Sequence, residues 1–161
     1  MNEKICISLA SLDGYLGGIT SLSGGIRQYL SCAFMTERKN SDVVAEVVDF
    51  YAPNFQLQCS TVELMPDGLK RLEMEIQPYL IQNLLGHHTQ FELKVIEDRK
   101  RYLAFRIMDM IQDVLDYDYK NTEVYKFTAF FNDVNYTFFS VACKNMNLNL
   151  QFSENYKEHR A

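Results

Sequence analysis

Apolar and polar residues alternate with a period of two over much of this chain, which predicts strands, and step at three and four in shorter stretches, which predicts helices. Near the start, Ile5, Ile7 and Leu9 alternate with Cys6, Ser8 and Ala10, so a short strand is expected. From Ile26 to Thr36, Tyr29, Leu30, Ala33 and Phe34 fall on one face of a helix. Ser41 and Asp42 offer the next helix start, Val43, Val44, Val47, Val48 and Tyr51 follow at helical spacing, and Pro53 ends that element.

From Phe55 the period returns to two. Phe55, Leu57 and Cys59 alternate with Gln56, Gln58 and Ser60, and Val62 and Leu64 continue on the other parity, as across a bulge. Met65-Pro66-Asp67-Gly68 is a turn signal, because Pro presets φ and Gly accepts a positive φ. Leu72, Met74 and Ile76 then alternate with Glu73, Glu75 and Gln77, which makes residues 55–77 a hairpin with one wet face. The rival is a single amphipathic helix ended by Pro78. A short helix over 78–85 stops at Gly86. Phe91, Leu93 and Val95, the charged turn Glu97-Asp98-Arg99-Lys100, and Leu103, Phe105 and Ile107 predict a second hairpin over 90–107.

Ile107, Met110, Ile111, Val114 and Leu115 step as a helix that ends between Tyr117 and Asn121. The last forty residues are rich in Tyr, Phe, Thr and Val, and Asn132-Asp133 and Lys144-Asn145 divide residues 124–152 into three hairpin-linked strands. Met146, Leu148, Leu150 and Phe152 alternate with Asn and Gln, so one face of the last strand should be wet. The pattern as a whole predicts an α+β fold, a mainly antiparallel sheet with helices packed on one side, in a single domain over 1–161. Five of the seven glycines fall at Gly14, Gly17, Gly18, Gly24 and Gly25, so a flexible segment is expected over 11–25. The polar tail 153–161 should fray.

Composition narrows the function. Apolar residues make up 47% and charged residues 23%, as in ordinary globular domains. The net charge of −5 repels a phosphate backbone or an anionic membrane unless a local basic patch intervenes, so neither nucleic acid nor membrane is an expected partner. No run of about eighteen apolar residues exists, and Glu3 and Lys4 do not make the basic start of a signal peptide, so a cytoplasmic location is expected. Cys6, Cys32, Cys59 and Cys143 are scattered without a CxxC pair and should be small buried apolar residues.

Nothing in the sequence forms a catalytic set. His87 and His88 are adjacent, so they do not face each other across an element, and His159 lies in the tail. No GxSxG elbow is present, and the glycines lack both the Gly-Lys-Ser/Thr ending of a P-loop and GxGxxG spacing. No enzyme activity, cofactor or metal is therefore expected.

The distinctive feature is acidic. Asp109, Asp113 and Asp116 lie at i, i+4 and i+7 on one helix face, with Asp118 beyond. Residues 107–135 hold six acids against two bases, nearly the whole net charge. Acids at a helix C-terminus oppose its dipole by a few tenths of a kcal/mol each, about 0.3 or more, so the stripe works against local stability. Tyr117, Tyr119 and Tyr125 accompany these acids, and tyrosine gives contact area at low entropic cost. The expected partner-binding residues are Asp109, Asp113, Asp116, Asp118, Tyr117, Tyr119 and Glu123, and the expected partner is a basic protein. The type of function expected is that of an immunity protein blocking a basic toxin such as a nuclease. The alternatives are a chaperone for a secreted effector, or a small enzyme or ligand-binding domain built on the glycine-rich start.

Overall fold

A computed structural model describes residues 2–21, 27–38, 42–51, 58–59, 62–80, 90–131 and 133–156. Asn2 caps the first helix, α1 (Glu3–Ser21), its Oδ1 accepting from the Lys4 and Ile5 backbone N–H at 2.7 and 3.4 Å. The expected strand at Ile5–Ala10 is thus helix, and Gly14, Gly17 and Gly18 sit within it. Leu12 and Leu16, four apart, are its fully buried anchors. Gly24 and Gly25 lie outside the described residues.

The next element reverses expectation the other way. Residues predicted helical form strand β1 (Arg27–Glu37). Ala33 packs with the α1 side of the sheet, whereas Phe34 packs on the opposite face. Burial on both faces removes the alternation that would mark a strand.

Helix α2 (Val43–Tyr51) forms where expected, capped by Asp42 Oδ1, which accepts from the Val44 and Ala45 N–H, both at 3.1 Å. Two short strands follow, β2 (Gln58–Cys59) and β3 (Glu63–Leu64). The turn at Met65–Gly68 is present, with Asp67 and Gly68 both left-handed at φ 59 and 46°. It opens helix α3 (Gly68–Glu75), continued by α4 (Gln77–Leu80), instead of the second arm of a hairpin. The hairpin expected over 90–107 is likewise the first two-thirds of one long helix, α5 (Gln90–Leu115), which ends in a 3-10 turn over Asp116–Lys120.

The C-terminal strands β4 (Glu123–Phe131), β5 (Val134–Ala142) and β6 (Met146–Tyr156) form the expected meander. Strand β6 runs past the expected end at Phe152, because Ser153 to Tyr156 pair with Leu30 to Arg27 of β1. Residues 157–161 lie outside the described set. All pairings are antiparallel, in the order β1-β6-β5-β4-β2, with β3 also on β4.

The main core lies between one face of this sheet and a layer of α1, α3, α4 and α5, as expected for one-sided packing. Leu148, Leu150, Phe152, Phe139 and Val141 meet Leu16, Leu72, Ile76, Ile107 and Ile111 there. A smaller cluster on the opposite face seats α2 through Val43 and Val47 on Phe34, Phe127, Ala129 and Phe138. The rings of Phe127 and Phe138 stack at 4.9 Å across β4 and β5.

Candidate functional site

Helix α5 carries the expected acidic face. Its inward positions Ala104, Ile107, Met108, Ile111, Val114 and Leu115 are buried, and their i, i+3, i+4 spacing turns the other side outward. Asp109 and Asp113 stand on that outer ridge, and Asp116 follows where the helix tightens into the 3-10 turn. Asp116 is left-handed at φ 50°, a conformation Asp tolerates better than most side chains.

Two of these acids are met by bases of the same chain. Arg106 Nη1 lies 3.6 Å from Asp109, and Lys4 Nζ of α1 lies 3.8 Å from Asp116. Both pairs are about half exposed, so each is worth at most about 1 kcal/mol, and a competing cation can displace it. Asp113 is exposed and makes no ion pair among the described residues.

The other expected residues divide. Tyr119 is half-buried against the main core. Burial raises its pKa above 10.0, and the nearby carboxylates of Glu73 and Asp109 raise it further. It therefore serves mainly as packing. Glu123 does not join the ridge: it lies in a cleft at the edge of β4 with Arg38, Lys120 and Lys144, and accepts from the Tyr125 hydroxyl at 2.7 Å. The side chains of Tyr117 and Asp118 lie outside the described residues.

Two residues that the sequence reading missed complete the ridge. Tyr102 and Phe105 are 64% and 56% exposed, two turns and one turn before Asp109. Both rings stand in solvent on the stripe that carries Asp109 and Asp113. Their signal was present as i, i+3, i+7 and i+11 spacing from Tyr102 to Asp113, but the hairpin reading of 90–107 assigned Phe105 to a buried strand face.

A second polar feature lies on the other side of the sheet. Asn147 and Asn149 of β6, expected to be wet, are fully buried under α2 with Thr36, Ser140 and Glu46. Asn147 Nδ2 donates to the Glu46 carboxylate, Asn149 Nδ2 donates to Thr36 Oγ1 at 3.0 Å, and Ser140 Oγ donates to Asn149 Oδ1 at 2.5 Å. This layer binds α2 to the sheet through hydrogen bonds.

Cys32 and Cys143 are at least partly buried, whereas Cys6 is exposed, against expectation. His87, His88 and His159 lie outside the described residues. Among the described residues no three His, Cys, Asp or Glu side chains gather as a metal site would require. No described helix is long and apolar enough to cross a membrane. No family model, curated protein or solved structure matches the chain.

Proposed function

We propose that this is a non-enzymatic binding protein that covers a basic surface on a protein partner with the outer ridge of α5. The observation that carries the reading is the placement of exposed Tyr102 and Phe105 on the same ridge as Asp109 and Asp113. The carboxylates would steer a cationic surface into encounter, and the two rings would supply the desolvated anchors that hold it. The small size and acidic balance suit a protein that works by masking another, as an immunity protein in the cytoplasm masks a basic toxin. Lys4 and Arg106 would be exchanged for cations of the partner.

The test uses three variants. A pull-down from the native host with the intact protein supplies the partner, and stopped-flow mixing then measures association. Asn is the replacement at 109, 113 and 116 because it keeps shape and tolerates the left-handed backbone of residue 116. The triple D109N/D113N/D116N variant should associate about tenfold more slowly and with a flatter salt dependence. Tyr102→Ala and Phe105→Ala should instead speed dissociation, each by about tenfold or more. Wild-type association by the triple variant would remove the ridge from the mechanism.

A further inference from the structure

An acidic chain repels anions except where a basic patch intervenes, and the fold builds one from three distant segments. Arg38 follows β1, Lys120 ends the 3-10 turn after α5, and Lys144 lies in the β5–β6 turn, yet all three line one cleft of about 590 Å³. That volume is in the range of small-molecule sites, roughly 300–1,000 Å³. Arg38 is fixed in place. Its backbone N–H donates to the Asn145 carbonyl at 2.9 Å and its Nη1 donates to the Cys143 carbonyl at 2.7 Å. One of its five guanidinium N–H donors is thereby used, and the rest of the planar fork is pre-oriented. Lys120 and Lys144 are exposed and make no ion pair among the described residues. Asn121 adds amide donors beside them. Glu123, the one carboxylate among the described residues of the lining, is engaged by the Tyr125 hydroxyl at 2.7 Å.

We propose that this cleft binds a small molecule bearing two or more phosphate charges. Among the described lining residues, three cations against one carboxylate leave an excess that a monoanion does not neutralise, whereas a pyrophosphate group does. A planar Arg clamp flanked by mobile Lys point charges is also the donor set that phosphate oxygens favour. The site is separate from the α5 ridge, so either reading can fail while the other stands.

The experiment is a titration of the full chain with sodium pyrophosphate, inorganic phosphate, adenosine triphosphate and adenosine, followed by calorimetry and by backbone amide NMR. Pyrophosphate is expected to bind saturably, more tightly than inorganic phosphate, and to shift the amides of Asn121, Lys144 and Asn145. Tighter binding by adenosine triphosphate, with none by adenosine, would identify a nucleotide as the source of the phosphates. Equal affinity for the two would identify free pyrophosphate. The K120Q/K144Q variant changes two exposed side chains, so it should keep the wild-type melting temperature and lose affinity about tenfold or more. Arg38→Lys, which retains the charge and loses the fork, should weaken binding too. Absence of saturable binding by every phosphate probe overturns the proposal, as does undiminished binding by K120Q/K144Q, or shifts confined to another surface.

Discussion

Asn149 is the node of the polar layer beneath α2. Its amide donates to Thr36 Oγ1 at 3.0 Å and accepts from Ser140 Oγ at 2.5 Å, and all three residues are buried. Each bond is worth only about 1 kcal/mol net, but an orphaned buried partner costs about 1–3 kcal/mol. Truncating Asn149 strands two hydroxyls at once. Asn149→Ala is therefore expected to lower unfolding stability by about 2–4 kcal/mol in urea titration, far more than an exposed Asn→Ala change. A loss under about 0.5 kcal/mol would mean that water reaches the layer. Asn147 beside it is already imperfectly served: its Nδ2 meets Glu46, while its Oδ1 has no hydrogen-bond partner among the described residues. These two asparagines were legible in the sequence only as polar positions. Period two placed them correctly on the face opposite Leu148 and Leu150, but nothing local to β6 announces that α2, a hundred residues earlier, roofs that face with Glu46.

At the scale of elements, one kind of residue accounts for three misread segments. Ile7, Met74 and Phe105 are apolar, lie two positions from a buried or partly buried apolar neighbour, and are themselves 61%, 60% and 56% exposed. Each supplies a false second beat to a helical stripe. In α3 and its continuation Leu72 and Ile76 are buried four apart, and Met74 points outward between them. In α5 Ala104, Ile107, Met108 and Ile111 carry the true period, while Phe105 mimics a strand with Ile107. The segments α2, the last third of α5 and the meander β4–β5–β6 hold no such intruder and were read correctly, whereas β1 was misread for a different reason, its burial on both faces. The same misreading hid half of the candidate site, because Tyr102 and Phe105 join the acids only on a continuous helix. The helix makes a testable distinction. In a hairpin Phe105 and Ile107 would share a buried face and cost alike when truncated. In α5, Ile107→Ala should cost about 2–5 kcal/mol through transfer and cavity terms, whereas Phe105→Ala should stay within about 0.5 kcal/mol. Equal losses in chemical denaturation would refute the helical assignment.

Across the whole molecule, ionisation ties stability to pH at both ends of the scale. On the acid side, burial pushes the Glu75 carboxyl up, but the hydrogen bond and charge of Lys126, then Arg71, outweigh it and hold the group below 4.5. Its contribution is present above that value and is lost as pH falls through the lowered one. The alkaline side involves more of the fold. Tyr15 of α1, Tyr119 of the 3-10 turn and Tyr136 of β5 are raised above 10.0, chiefly by burial. Tyr125 of β4 is raised chiefly by its hydrogen bond to Glu123. In all four the folded state holds the phenolic proton more tightly than the unfolded chain does. Their stabilisation is therefore complete below pH 10.0 and is lost as pH rises through the raised values. New phenolate charge would also add to a net charge already at −5, so self-repulsion acts in the same direction. Scanning calorimetry should show a melting temperature that declines from about pH 10 upward. Replacing Tyr119 and Tyr136 with Phe removes two of the four protons while keeping the rings in the core. That double variant should decline less steeply than wild type over the same range. A wild-type melting temperature flat to about pH 11, or identical slopes for the two proteins, would show that these phenols titrate as they do in the unfolded chain.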